Sequence, residues 1–322
     1  MNDSPRTLAF VMDPIESIDV RGDTTFVMML EALDRGHRVL YVEPRDLGVS
    51  ERGPVARARP VLALRREPGN HVDLGPEEAV ALDEAADLVF QRKDPPVDGA
   101  YVVATQILSL CRRALVLNRP QGILTANEKL YAMGFPDLMP PTRVTHRIAD
   151  LKAFMAELGG EMIVKPLDGR GGEGIFHVSD GDRNLVSILE QSTAFETRPI
   201  MAQQYLPDVR KGDKRILLVD GEPIGAVLRV PSEGEHRANF HVGGTPAKSG
   251  LDAGDLAIVE RLAPSLRRDG LFFVGIDVIG GRLTEVNVTS PTGVQEVNTL
   301  EGRRLEAEIL DGAERKLAEF RA

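Results

Sequence analysis

Asp277, Glu285 and Asn287 fall within "VGIDVIGGRLTEVNVTSPTG", residues 274–293, where two apolar runs flank Gly280-Gly281. Side chains two apart on a strand share a face, so Glu285 and Asn287 project together. Asp277 stands eight positions before Glu285. An even separation pairs two residues directly across a hairpin only if the loop between the strands has an odd number of residues. The expectation is therefore a three-residue turn, Gly280-Gly281-Arg282, with a glycine in the left-handed conformation. It would gather two carboxylates and an amide, hard oxygen donors that suit magnesium when phosphate and water complete its shell. A polar outer sheet face would use the same residue types, but the alternation in "TEVNVTSP" equally lets that side face a cleft.

A second group surrounds "IVKPLDGRGGEGIF". The apolar strand ends at Lys165, and Gly169, Gly171, Gly172 and Gly174 let the following backbone approach a ligand closely and aim several N–H groups at one anion. A flexible hairpin tip would look the same, since the stretch is neither a P-loop nor a dinucleotide fingerprint. Lysine inside an apolar strand must snorkel or meet an anion, which makes Lys165 informative. Lys129, in the helix-like "NEKLYAM", could equally sit on a solvated face. Further on, Gln203, Gln204, Tyr205 and Leu206 could give a flat heterocycle backbone partners and apolar walls. Asp213, Lys214 and Arg215 begin one strand and Arg229 ends the next. Two guanidiniums could thereby converge on phosphate or carboxylate.

The elements that must carry these residues differ between the two parts of the chain. The first third alternates apolar runs ("TLAFVMD", "RVLYVEP", "ADLVFQRK", "ALVLNRP") with helix-like stretches, a rhythm of parallel strands and flanking helices. Gly36 follows "EALDR" as a helix C-cap. Residues 48–80, rich in Pro, Gly and Arg, read as an irregular excursion with at most a hairpin. Beyond "NRPQGILTANEKL" the chain becomes α+β. "EMIVKPL" pairs with "GIFHVS", "RILLVDG" with "EPIGAVLRVP", and "LFFVGIDVI" with "RLTEVNV", each across a glycine-containing turn. Helices are expected at about 147–158, 182–193, 252–269 and 301–320. The long segment 230–250, without obvious order, reads as functional or disordered.

Lys plus Arg number 39 against 49 Asp plus Glu, a formal charge of −10. That balance argues against a general nucleic-acid binder or an anionic-membrane binder. The N-terminal run carries Asp3 where an export signal needs positive charge and stops at Asp13-Pro14, so a cytoplasmic protein with no membrane span is expected. Cys111 is the single cysteine, which excludes an internal disulfide and a cysteine-rich metal site. It is read as a buried helix residue rather than a nucleophile.

In order along the chain, these pieces resemble the ATP-grasp ligases. More closely, "FVMDPIESI", "QRKDPPVD", "NEKL", "KPLDGRGG", "GDKRILLVDGEP", "EGEHRANFHVGG" and "TEVNVTSPTG" are similar to the bacterial glutathione synthetase family, from about residue 8 to 320. The resemblance implies an α/β, Rossmann-like preATP-grasp domain at 1–122 and an ATP-grasp domain at 123–322, with a central lid subdomain to about 200 and a C-terminal subdomain after it. It also implies ATP-dependent joining of γ-glutamylcysteine to glycine through an acylphosphate, with no covalent enzyme intermediate.

Carried onto this sequence, the resemblance gives Lys129 and Lys165 to the ATP phosphates, with 168–174, including Asp168, Gly169, Gly171 and Gly172, closing over them. Gln203, Gln204, Tyr205 and Leu206 would frame adenine, with Asp213 near the ribose. Arg229, with Lys165 and Arg215 as further catalytic candidates and Asn239 nearby, would stabilise the transferring phosphoryl group. Two divalent ions, magnesium or manganese, would sit on Asp277, Glu285 and Asn287. Arg215, Arg237, Ser290, Pro291 and Thr292 would hold the dipeptide, and the 230–250 loop with Gly243-Gly244 would be a lid. The family also implies a homo-oligomer, dimer or tetramer.

Other readings have distinct signatures. A ligase with a changed amine acceptor or dipeptide would keep every nucleotide motif, whereas a non-catalytic nucleotide-binding regulator should have lost a metal ligand or a phosphate lysine. A dehydrogenase needs a glycine fingerprint after the first strand, which "FVMDPIES" lacks. Residues 50–80 and "GVQEVNTLEGRRLEAEIL" match the family loosely and leave oligomer contacts and acceptor choice open.

Overall fold

The computed structural model describes residues 5–169, 171–232, 237–239 and 243–322. The run "LVFQ" becomes the strand Leu88–Gln91, buried throughout, and "TLAFV" the strand Thr7–Val11, buried after its first residue. Such continuous burial is what parallel strands covered on both faces require. Arg38–Val42 and Leu115–Leu117 flank them in the same parallel sheet. The helix Thr24–Asp34 begins where the Asp23 carboxylate accepts from Phe26 N at 2.6 Å, and Gly36 follows its end with φ 78°. The C-cap reading at Gly36 is borne out.

Residues 48–80 are more regular than expected. Gly53–Leu64 is one long strand, antiparallel to Arg38–Val42, and Leu47–Ser50, Val72–Leu74 and Glu78–Ala81 all pair with it. Its buried positions include Pro54, Ala56 and Ala58. Small residues and proline give little strand signal, which hid the alternation. Cys111 lies in the turn after the helix Gly99–Leu108, not within it, and is only partly buried. Burial nevertheless pushes its thiol up to about 12.

Two antiparallel sheets follow. The first joins Phe176–Ser179, Glu161–Pro166, Ile200–Gln203 and Thr142–Thr145, and has its own core of Leu151, Phe154, Met162, Val164, Leu189 and Ile200. The second orders Thr245–Lys248, Glu222–Val230, Asp213–Val219, Phe273–Ile279 and Arg282–Asn287. The three hairpins expected from sequence are all present. One face of the second sheet packs Ile216, Leu218, Ile276 and Val286 on Ile258, Leu262 and Leu266 of the helix Ala253–Asp269. The helix expected at about 301–320 is Leu305–Arg321, and a further one that the sequence did not announce, Val294–Glu301, precedes it and ends at Gly302 with φ 66°.

How these sheets are joined decides what can move. Leu217, Val219, Phe273, Val297 and Leu305 share one core with Phe10, Phe26 and Phe90 of the N-terminal sheet. Asn118 pins the joint: its Nδ2 donates to Phe273 O (3.0 Å) and Val288 O (2.6 Å), and its Oδ1 accepts from Phe273 N (2.7 Å). The N-terminal and C-terminal sheets are thus fused through one hydrophobic core, while the middle sheet is cored separately.

Candidate active site

Asp277 pairs directly with Glu285, and Gly275 with Asn287, so the three oxygen-bearing side chains share a face. The turn that achieves this differs from expectation. Ile279 pairs with Arg282, leaving a two-residue turn in which Gly280 (φ 55°) and Gly281 (φ 74°) are both left-handed. Positive φ at both central positions is the turn geometry that matches strand twist. The extra residue needed for parity is instead a bulge at Thr284, between the pairs 278–283 and 277–285. Thr284 Oγ1 donates to Asp277 O (3.1 Å) and its carbonyl accepts from Lys165 Nζ (3.3 Å). Tertiary contacts hold the bulge where sequence parity alone suggested a longer turn.

The same face carries a row of alternating charge. Arg215 lies opposite Asp277, and Asp213 opposite Arg229. Arg215 binds both oxygens of Asp277, Nε to Oδ1 at 2.5 Å and Nη2 to Oδ2 at 2.9 Å, while Arg229 reaches Asp277 at 2.9 Å and Asp213 at 2.5 Å. A Cβ on Gly275 would stand 3.0 Å from both Arg215 Cδ and Pro291 Cβ, so glycine lets the arginine cross the strand. Burial opposes charge on Asp277, but Arg215 and Arg229 outweigh it and hold this carboxyl well below the usual range. For Asp213 burial prevails over Arg229 and lifts it to about 6. Asp213 Oδ1 and Arg229 Nε are buried without a partner among the described residues, so the row retains hydrogen-bonding capacity.

Lys129 is not on a helix. Asn127 Oδ1 accepts from Lys129 N (3.1 Å) and Leu130 N (3.0 Å), closing a capped turn at the start of "NEKLYAM". This turn aims Lys129 Nζ at Glu285 Oε1 (2.8 Å) and Gly169 O (2.9 Å), while Asn127 Nδ2 donates to Leu167 O (3.0 Å). The base of the glycine loop is thereby tied to residues 127–129. Burial disfavours charge on Glu285, but Lys129 prevails and lowers its pKa. Lys165 is buried as its strand implied and donates to Gln203 Oε1 at 3.1 Å. Burial pushes its ammonium down to about 8 against the pull of Glu285.

Above the glycine loop, Arg237 Nη1 donates to Gly172 O (3.3 Å). A Cβ on Gly172, at φ 88°, would meet Asn239 Oδ1 at 2.9 Å, so the two loops touch where only glycine fits. Residue 170 of the expected flap and residues 233–236 and 240–242 of the expected lid lie outside the described residues. Tyr205 stacks on His177 with ring centroids 4.0 Å apart, and Gln203 Nε2 donates to Thr142 Oγ1 (2.9 Å). On the opposite wall Arg215 donates to Thr292 O (3.2 Å) and the N-terminal sheet's Arg92 to Pro291 O (2.9 Å).

The site residues converge on one cleft of about 1410 Å³, its open mouth included. It collects Lys129, Lys165, Gly169, Gly171, Gly172, Gln203, Gln204, Tyr205, Leu206, Asp213, Arg215 and Arg229. Arg237, Asn239, Asp277, Glu285, Asn287, Ser290, Pro291 and Thr292 complete it. Asp168 is the one site residue expected from sequence that does not line it; its half-exposed carboxylate turns outward to Arg198 at 3.4 Å.

Sequence reasoning passed over Glu128, Asp94, Pro95 and Thr289, which also line the cleft. Glu128 Oε1 accepts from Val288 N (2.8 Å), Thr289 N (3.1 Å) and Thr289 Oγ1 (2.9 Å). Burial, then Glu285, push its carboxyl up despite those donors. The only signal available was an acid beside the lysine in "NEKL".

The donor set suits a divalent cation bound together with phosphate. Glu285 keeps Oε2 beyond its pairing with Lys129, and Asn287 donates through Nδ2 to Gly275 O (3.2 Å) and Asp277 Oδ2 (3.3 Å), leaving Oδ1. Asp277 shares both oxygens with guanidiniums. Among the described residues no three His, Cys, Asp or Glu side chains form a metal cage, so ligand oxygens must complete the shell.

Comparison with known proteins gives a consistent picture. Residues 7–123 match the family described as prokaryotic glutathione synthetase, N-terminal domain, and residues 128–302 its ATP-grasp domain. A glutathione synthetase of Gloeobacter violaceus is 48% identical over 94% of this chain and 95% of its own length. One from Agrobacterium fabrum is 42% identical over 97% of each chain. Among solved structures, D-cycloserine synthetase aligns over 97% of this chain and 99% of its own with TM-score 0.68 at 14% identity. The D-alanine–D-alanine ligase of Bacillus anthracis, complexed with ATP, does so over 98% and 99% with TM-score 0.58 at 12% identity. At such identities the structural likeness speaks for the ATP-grasp fold alone.

Proposed function

This chain belongs to the prokaryotic glutathione synthetase family, and on that premise we propose how its cleft carries out ATP-dependent joining of γ-glutamylcysteine to glycine. The observation that carries the reading is the convergence of Lys129, Lys165, Arg215 and Arg229 with Asp277, Glu285 and Asn287 in one cleft roofed by a glycine loop.

In this reading ATP lies between the middle and C-terminal sheets. Tyr205 and Leu206, with Gln203 and Gln204, frame the base, and Asp213 offers Oδ1 toward the ribose. Lys129 and Lys165 neutralise phosphate oxygens, while Gly169, Gly171 and Gly172 supply backbone donors over them. The loop carrying Arg237 and Asn239 covers the glycine loop and helps keep water from the reacting groups. When bound, two divalent ions, magnesium or manganese, held by Glu285 and Asn287 with Asp277 beneath, offset the repulsion between a carboxylate and a triphosphate.

The chemistry then follows from charge placement. A dipeptide carboxylate oxygen bonds to the γ-phosphorus as the bond to ADP breaks, with Arg229 facing the negative charge that develops. The amine nitrogen of glycine next bonds to the acyl carbon, the carbon–oxygen bond breaks, phosphate leaves and the nitrogen sheds a proton. Arg215, with Ser290, Pro291 and Thr292, holds the dipeptide's carboxylates.

The same reading divides the chain at residue 122 into an N-terminal domain and an ATP-grasp domain, and takes the separately cored middle sheet, within about 123–200, as the lid. It also has the protein working in the cytoplasm as a dimer or tetramer, which light scattering can test. No helix among the described residues is long and apolar enough to cross a membrane.

The direct test is purified protein with ATP, Mg²⁺, γ-glutamylcysteine and glycine, following ADP and glutathione by chromatography. Both should appear in equal amounts. A panel of other amines and dipeptides serves as control, and product from another pair but none from this one would reassign the substrate.

A further inference from the structure

We propose that Glu128 recognises the ammonium group of the incoming glycine, its Oε2 forming the anionic half of the amine-acceptor subsite. The proposal rests on the ligase reading above and concerns a residue to which that reading gives no role.

The cleft's charge pairing isolates this carboxylate. Glu285 is paired with Lys129, Asp277 with Arg215 and Arg229, and Asp213 with Arg229. Glu128 lines the same cleft yet forms no salt bridge in the described residues, although Lys129 lies close enough to feel its charge. An anion set among apolar and paired groups is costly until a cation meets it, so the site is complete only with a positively charged ligand.

The orientation of Glu128 is also determined. Its Oε1 is engaged by three donors from Val288 and Thr289, and its backbone carbonyl accepts from Val286 N at 3.0 Å. The acid is thus clamped to the segment that continues into Ser290, Pro291 and Thr292, which the ligase reading gives to the dipeptide whose acyl carbon glycine attacks. Oε2, with no protein donor among the described residues, is the oxygen left for the cleft. A divalent ion is the competing occupant, which the Mg²⁺ requirement of the variant separates from an ammonium. Glycine and γ-glutamylcysteine both carry an ammonium, but only glycine's nitrogen has to reach the acyl carbon beside the phosphates, and Glu128 adjoins Lys129 and Glu285 there, whereas the cleft's arginines suit carboxylates and phosphates.

The test compares wild type with Glu128→Gln, whose amide oxygen can still accept from Val288 and Thr289 while the charge is lost. KM for glycine should rise about tenfold or more, the usual size of a lost charge-assisted hydrogen bond, with KM for ATP and γ-glutamylcysteine little changed. Hydroxylamine, a neutral nucleophile, should trap the acylphosphate as hydroxamate at the wild-type rate. In unmodified enzyme, glycolate, which lacks the ammonium, should compete with glycine at least about ten times more weakly than glycine binds.

An unchanged glycine KM, or glycolate competing as well as glycine binds, overturns the proposal. So does a common rise in all three KM values, which would mean a displaced loop, or a raised Mg²⁺ requirement, which would make Glu128 a metal ligand. If wild type yields neither glutathione nor hydroxamate, the ligase reading fails instead.

Discussion

Lys129 Nζ lies 2.8 Å from Glu285 Oε1, so the cation proposed for phosphate is held by the carboxylate proposed for metal. Ligand-free, each neutralises the other; Mg-ATP must part them while satisfying both. Glu285→Gln should therefore lower turnover by about a hundredfold or more, because the carboxylate's charge beside the phosphates is gone. Nucleotide binding measured by calorimetry should survive in part, since Lys129 is released. Wild-type turnover in this variant would remove Glu285 from the metal site.

Arg229 is buried between Asp213 and Asp277. Arg229→Met would leave Asp213 without its guanidinium and Asp277 with one fewer. We expect about 3–5 kcal/mol less stability in urea unfolding, together with loss of activity. Adding Asp213→Asn should restore part of the stability but not the turnover. A stable Arg229→Met protein would show that Arg215 alone satisfies this row.

For Lys165, burial pushes the pKa down from 10.5 to about 8. Contact with phosphate favours the ammonium and should raise it again. ATP affinity should accordingly fall as pH rises from about 8 toward 10, with proton uptake on binding visible as calorimetric heats that vary with buffer. In folding the sign is opposite to that of a paired lysine. The unfolded chain binds the proton more tightly, so the cost is complete below pH 8 and fades between 8 and 10.5. A pH-independent affinity over this range would place phosphate elsewhere.

Asn118→Ala removes the three hydrogen bonds that join the N-terminal sheet to Phe273 and Val288. The buried Phe273 N–H would lose its partner, at a cost of about 2–3 kcal/mol in equilibrium unfolding. Because Val288 leads into Ser290, Pro291 and Thr292, the segment read as holding the dipeptide, KM for the dipeptide should rise more than KM for ATP.

The α/β beginning, the hairpins and the grouping of Asp277, Glu285 and Asn287 were legible because burial writes itself into apolar alternation. What escaped depends on partners far along the chain. The bulge at Thr284 is held partly by Lys165, 119 residues away, and Glu128 is oriented by backbone donors 160 and 161 residues away. "NEKLYAM" has the composition of a helix and Asn127 caps two backbone N–H groups as a helix start would, yet only a turn and the 3-10 piece Ala132–Gly134 follow. In Gly53–Leu64 the inward row of proline and alanine gave no hydrophobic contrast.

The bulge at Thr284 makes the length of this hairpin a stricter constraint than its composition. Losing or gaining one residue there would exchange inside for outside along the rest of the strand, sending Glu285 and Asn287 into the hydrophobic layer and Val286 into the cleft. Natural variation in this segment should consist of substitutions, with indels tolerated only in pairs.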